Sequence, residues 1–127
     1  MKFLAIEQVL MLHSYVVTAT GGSDGIRDIG RIEAAIATQY QAVFDAELYV
    51  SIYAKAGALM RGIIADHPFV DGNKRTATMA AAVLLELNGV RLSMQSQELE
   101  DFAVKVAVDH LSIDEIAKWF EEHTIQV

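Results

Sequence analysis

The sequence predicts an all-α fold, and three observations lead to this prediction. Apolar residues recur at spacings of three and four along most of the 127 residues, as on the buried face of a helix. The glycine-rich segment and the single proline fall between these periodic stretches. Strand-like alternation occurs only at Val90, Leu92 and Met94, where no partner strand is evident. We therefore expect one compact domain, residues 1–127, built as a bundle of about six helices without a sheet.

The first half of the chain predicts three of these helices. An apolar stripe over residues 3–17 includes His13, which we expect to be a hydrogen-bonded packing residue. A loop with four glycines, residues 20–30, precedes a short helix near residues 31–37. A second apolar stripe, residues 48–63, predicts a long helix that ends before the proline.

The second half predicts a central buried helix and two more. The run after Gly72 is a strong helix former, apolar on nearly all sides, and it stops at Asn88–Gly89. An apolar stripe over residues 99–106 indicates a fifth helix. Ser112 and Glu115 have the spacing of a capping box and open a sixth.

Composition excludes several classes of protein. The net charge of -7 argues against a nucleic-acid-binding protein, which needs a basic face to displace counterions. The chain has no cysteine, which excludes disulfides and favours a reducing compartment. Its longest apolar run is shorter than the roughly 20 residues that cross a bilayer. The histidines lack zinc-ligand spacing, and neither a complete P-loop nor a Rossmann fingerprint occurs. We expect a cytoplasmic protein that binds neither nucleic acid directly nor a membrane.

Polar chemistry is concentrated in HPFVDGNKRT, residues 67–76, where a loop opens the predicted central helix. The unpaired N–H groups of a first helical turn lie at the positive end of the helix dipole and favour an anion. Gly72 allows a phosphate to approach the backbone, and Asn73 adds amide donors. Arg75 offers a planar fork to phosphate oxygens, and Lys74 is the fourth predicted phosphate-binding residue.

Two side chains beside this anion site indicate catalysis. The Asp71 carboxylate suits Mg²⁺, which prefers oxygen ligands and few of them from protein, so the predicted ligand is a nucleoside triphosphate with Mg²⁺. His67 lies four residues earlier, and imidazole exchanges protons near neutral pH, so His67 is the predicted general base. Phe69 is expected to turn inward and anchor the loop. The predicted catalytic residues are thus His67, Asp71, Lys74 and Arg75, although each alone has an ordinary explanation as a helix cap, a solvated charge or a loop residue.

The stretch HPFVDGNKR resembles the signature of the Fic/Doc proteins, H-x-F-x-[DE]-G-N-[GK]-R. Residues 21–37 and 86–89 are similar to segments of the Doc, or death-on-curing, branch. The resemblance implies an all-helical Fic/Doc-like fold whose loop and following helix bind Mg-ATP. It implies His67 as base, Asp71 as metal ligand, and Asn73 and Arg75 on the phosphates.

The branch of the family decides which group is transferred. Fic proteins that transfer AMP end the signature with a second arginine, where this chain has Thr78, and commonly carry glycine in place of Lys74. Both differences resemble Doc, which moves the γ-phosphoryl group of ATP onto a threonine of elongation factor Tu. Gly72 departs from Doc, which has alanine there. The resemblance implies a toxin that is a protein kinase and arrests translation, with AMP transfer and a catalytically silent nucleotide- or partner-binding domain as alternatives.

The family also implies control by an antitoxin whose helix places a glutamate over the nucleotide site. In some members this helix belongs to the same chain and carries the motif [ST]-x-x-x-E-[GN]. Ser96–Glu100 comes nearest to it, but Asp101 follows, so we expect an ordinary helix start there and a separate antitoxin. A segment within Gly21–Tyr40 is expected to dock an extended peptide of the target by backbone pairing.

Overall fold

Six helices and two small sheets make up the fold, in a computed structural model that describes all 127 residues. The helices are α1 (Ile6–Thr20), α2 (Ile29–Ala37), α3 (Ile52–Asp66), α4 (Asn73–Leu87), α5 (Ser96–Asp109) and α6 (Ile113–Glu122). The strands are β1 (Ala42–Val43), β2 (Ala46–Glu47), β3 (Val90–Leu92) and β4 (Thr124–Gln126). The predicted all-α class with about six helices is confirmed. No helix combines the length and the apolar character needed to cross a membrane.

Helix α4 is the central helix, as predicted from its composition. It packs against α1, α3, α5 and β3. Three alanines, Ala77, Ala80 and Ala81, are completely buried and let neighbouring helices approach closely, and Leu84 and Leu85 continue the buried surface. Because α4 is enclosed along its length, the position of its amino end is fixed by the core.

The β3–β4 pair corrects the prediction that the chain forms no sheet. The two strands are antiparallel, with Arg91 opposite Ile125. The partner strand could not be predicted, because β4 has only three residues, too few to show a period, and lies beyond α5 and α6 in the chain. The other pair, β1–β2, is a hairpin whose turn residues Phe44 and Asp45 both have positive φ.

Two helix starts differ from the periodic stripes. Helix α3 begins at Ile52 rather than near Leu48, because the Ser51 hydroxyl accepts a hydrogen bond from the N–H of Ala54 and caps the helix. Phe3 lies before α1 instead of within it. The capping box predicted at the start of α6 is present.

A buried lysine fastens the hairpin to the helices. Lys55 of α3 is 1% exposed, and its Nζ donates to the carbonyl oxygen of Gln39 at 2.6 Å and to Oε1 of Glu47 at 3.2 Å. The same ammonium group lies 5.5 Å from the centre of the Phe3 ring. A buried charge is tolerated only when such partners replace water. Lys55 therefore holds the end of α2, strand β2 and the amino-terminal segment against α3.

Candidate active site

The loop between α3 and α4, residues 67–72, is fastened to the core by Phe69 and Asn73. Phe69 is 1% exposed, which confirms that it turns inward. The Asn73 side chain accepts from the N–H of Phe69 at 3.0 Å and donates to its carbonyl oxygen at 2.9 Å. The sequence assigned this amide to phosphate, whereas the structure uses its oxygen and one of its N–H groups to close the loop. An asparagine side chain can bond either to nearby backbone groups or to a ligand. The residue type alone does not show which of the two it does.

His13 of α1 supports the same loop from the core side. Its ring stacks on Phe69 with centroids 3.8 Å apart and planes 9° apart. Its Nε2 lies 2.9 Å from the carbonyl oxygen of Asp71, which can only accept, so Nε2 donates. The ring is 3% exposed, which confirms His13 as a hydrogen-bonded packing residue. The sequence did not reveal that it packs beneath the predicted site.

Gly72 has a structural reason to be glycine that the sequence did not reveal. Its φ of 76° is left-handed, and a Cβ there would lie 3.3 Å from Val16 Cγ1 and 3.4 Å from Val17 Cγ1. The missing side chain therefore makes room for α1 and permits the turn into α4, and the approach of a phosphate to this backbone stays a prediction.

The first turn of α4 leaves three donors free. The N–H groups of Asn73, Lys74 and Arg75 have no acceptor in the chain, and the first backbone bond of the helix runs from the N–H of Thr76 to the carbonyl oxygen of Gly72. No side chain caps this end of the helix. Free donors at the positive end of a helix dipole favour an anion.

Asp71 stands beside these donors and is not the helix cap. Its Oδ2 accepts from the N–H of Ser23 at 3.1 Å, while Oδ1 makes no hydrogen bond within the chain. No three His, Asp or Glu side chains converge anywhere to hold a metal ion. A free carboxylate oxygen on an exposed side chain fits Mg²⁺, which keeps several waters and takes other oxygens from phosphate. Asp71 would be its protein ligand.

His67 ends α3 in a left-handed conformation, with φ 45° and ψ 59°. Its imidazole makes no hydrogen bond within the chain and lines a cavity of about 160 Å³ between α3 and α5. Arg61 and His110 line the same cavity. The sequence did not single out His110, because nothing in its spacing relates it to His67.

Lys74 and Arg75 face a second cavity, of about 190 Å³, that does not include His67. Glu100 of α5 contributes to its wall, and its Oε1 lies 3.4 Å from Nη2 of Arg75. Helix α5 begins at Ser96, as predicted, and its next turns form the wall of the His67 cavity. Of the predicted site residues, His67 lines one cavity and Lys74 and Arg75 line the other, and α5 contributes to both walls.

Residues 3–85, which include all of the predicted site residues, match the family model of the Fic/DOC family. The chain belongs to the Fic/Doc family. It is 36% identical over 118 residues to Toxin Doc of Mycolicibacterium smegmatis, covering 91% of this chain and 88% of that protein. It is 32% identical over 117 residues to Protein kinase doc of Escherichia phage P1, covering 92% of this chain and 91% of that protein. The resemblance seen in the sequence is confirmed.

The glycine-rich segment of this Fic/Doc chain pairs with the loop that carries its signature. The N–H of Val70 donates to the carbonyl oxygen of Gly25, and the N–H groups of Arg27 and Asp28 donate to that of Pro68. These bonds pair one edge of the segment within Gly21–Tyr40 with the signature loop, and the docking of an extended peptide by this segment stays a prediction. Helix α2 follows this paired stretch.

Two arginines that the sequence did not single out bind the carboxyl end of α3, next to His67. Arg27 donates from Nε to the carbonyl oxygen of His67 at 2.7 Å and from Nη2 to that of Asp66 at 2.8 Å. Arg31 donates from Nη1 to the Asp66 oxygen at 2.7 Å. A cation at a helix C-terminus satisfies carbonyls that the helix leaves unpaired.

Proposed function

We propose that this Fic/Doc protein is the toxin of a toxin–antitoxin pair and an Mg-ATP-dependent protein kinase. Its acceptor is a threonine or serine hydroxyl of a translation factor, such as elongation factor Tu, in the cytoplasm. Relatives named as a toxin and as a protein kinase support this activity. The observation that carries the proposal is the set of three unpaired N–H groups at the start of α4, beside Asp71 and Arg75.

Phosphate oxygens of ATP accept hydrogen bonds from the N–H groups of residues 73–75. Arg75 adds a guanidinium, and Lys74, whose ammonium forms no ion pair within the chain, adds a second positive charge. Asp71 would hold a magnesium ion, which would further neutralise the phosphate charge when bound. The three N–H groups are in place before ATP binds, which is what electrostatic catalysis requires.

His67 takes the proton of the acceptor hydroxyl, which enters the cavity that the imidazole lines. The hydroxyl oxygen forms a bond to the γ-phosphorus, and the bond from that phosphorus to the β,γ-bridging oxygen breaks. ADP leaves, and the proton stays on the imidazole until it is released to water. The free, exposed imidazole of His67 supports this role because no other group in the chain occupies its nitrogens.

Transfer of the γ-phosphoryl group is favoured over transfer of AMP by the residue at position 78. Thr78 is 7% exposed, and its hydroxyl donates to the carbonyl oxygen of Arg75 at 2.9 Å. A buried threonine therefore occupies the position in α4 where Fic proteins that transfer AMP carry a second arginine. The far phosphates lack that second guanidinium here.

The position of a radioactive label tests the proposal. The chain, freed of antitoxin, is incubated with cell extract and ATP labelled at either the γ- or the α-phosphate. We expect γ-label on one acceptor protein and none from α-labelled ATP. Incorporation of the α-label instead would establish AMP transfer, and binding of ATP without either label would indicate a silent domain.

The antitoxin is proposed to be a separate protein, which the regular helical start at Ser96 supports. Glu100 nevertheless pairs with the arginine that is proposed to bind phosphate. Its carboxylate and the phosphates of ATP compete for the same guanidinium.

Replacing Glu100 by glutamine should therefore tighten Mg-ATP binding by up to about fivefold, since exposed ion pairs contribute roughly 0.2–1 kcal/mol. Calorimetric titration measures the change in Kd. Glu98→Gln, on the same helix but without a contact to Arg75, serves as control and should leave the affinity unchanged. Equal affinities of the Glu100 variant and the unmodified chain would show that the ion pair does not compete.

A further inference from the structure

His67 holds a backbone conformation that must be enforced by its surroundings. Its φ of 45° is left-handed, a region that costs residues other than glycine roughly 1–2 kcal/mol. The imidazole forms no hydrogen bond that would fix its direction. The direction of its Cα–Cβ bond is set by the backbone, so whatever holds that backbone also determines where the ring is placed.

One side chain holds the carbonyl groups on both sides of this strained peptide. The guanidinium of Arg27 bridges the oxygens of Asp66 and His67, at 2.8 and 2.7 Å. The backbone N–H of Arg27 donates to the carbonyl oxygen of Pro68 at 2.8 Å. Arg27 thus contacts three successive residues, with His67 in the middle.

Arg31 provides an internal comparison because it performs only half of this task. It donates to the carbonyl oxygen of Asp66 at 2.7 Å and forms an ion pair with Asp28, but it makes no contact with His67. Both arginines therefore cap α3, whereas the bond to the His67 carbonyl belongs to Arg27 alone.

We propose that Arg27 is a positioning residue for His67. It fixes the left-handed turn and so aims the imidazole at the acceptor hydroxyl; the consequence for catalysis rests on the proposed function. Arg27 acts through the backbone and touches neither the nucleotide nor the acceptor. Small displacements of a reacting group lower rates strongly, by as much as about 10²-fold for 1 Å.

Three variants test the proposal: Arg27→Gln, Arg27→Lys and Arg31→Gln. We expect Arg27→Gln to lower kcat by about 10- to 10²-fold with the KM for ATP within about twofold of the original. Arg27→Lys should recover part of the loss, because an ammonium group can keep one of the two carbonyl bonds. Arg31→Gln should leave kcat nearly unchanged. In NMR spectra, the ring signals of His67 should shift in Arg27→Gln and stay in place in Arg31→Gln.

Equal loss of kcat in Arg27→Gln and Arg31→Gln would overturn the proposal, since both would then merely cap α3. Unmoved His67 signals in Arg27→Gln would overturn it as well, whatever happens to the rate. If the unmodified chain transfers no phosphate, the proposed function fails while the NMR comparison still decides whether Arg27 holds His67. Arg27→Lys gives the same comparison should the glutamine variant fail to fold.

Discussion

His67→Ala should slow phosphoryl transfer by about 10²- to 10⁴-fold, the usual contribution of a general base. Affinity for Mg-ATP should remain nearly unchanged, because the phosphate-binding donors lie on α4 and His67 faces the other cavity. The imidazole is exposed and unbonded, so its removal leaves no buried group without a partner. Single-turnover transfer from γ-labelled ATP measures the rate, and calorimetry measures the Kd.

His123→Ala is a matched control, since His123 also ends a helix but stacks on Trp119. Its rate should stay close to that of the unmodified chain. Transfer at an undiminished rate by His67→Ala would remove His67 from the mechanism. Undiminished growth arrest in cells that express this variant would point to a toxic effect without catalysis.

Asn73→Ala should lower the free energy of unfolding by about 2–6 kcal/mol, because each of two buried backbone groups left without a partner costs about 1–3 kcal/mol. The groups concerned are the N–H and the carbonyl oxygen of Phe69, both bonded by the Asn73 amide. The loop they hold carries His67 and Asp71, so transfer should fall as well. Urea denaturation measures the stability.

Asn73→Asp separates the two hydrogen bonds, because a carboxylate keeps the acceptor for the Phe69 N–H and loses the donor to its carbonyl oxygen. Its stability should fall between those of the unmodified chain and Asn73→Ala. If Asn73→Ala kept its stability but bound ATP more weakly, the Asn73 amide would be a phosphate ligand, as the sequence predicts, rather than a support of the loop.

The helices could be predicted from the sequence because their periods are local. The alanine-rich run that forms α4 predicts both a helix and its burial, and Ser112 with Glu115 predicts the start of α6. Strand β4 could not be predicted, since three residues have no period and their partner lies beyond two helices. The turn of the β1–β2 hairpin lacks glycine and asparagine, so its positive φ values left no signal.

Within the site, residue types could be assigned to a motif, but their contacts could not. His13 and Asp71 meet from 58 positions apart, and Arg27 and His67 from 40. Such pairs are set by tertiary packing, which a single sequence does not display. The polar ring of His13 inside an apolar stripe was the one visible hint.

The burial of the Lys55 amine beneath the β1–β2 hairpin has a chemical consequence. The other four lysines are exposed, and this amine alone is shielded between Phe3, Gln39 and Glu47. An acylating reagent in solution will modify the exposed amines at once and reach Lys55 only when the hairpin lifts from α3. The chain therefore carries a natural probe of local opening, in which slow acylation of one amine reports how often that edge of the molecule separates from its core.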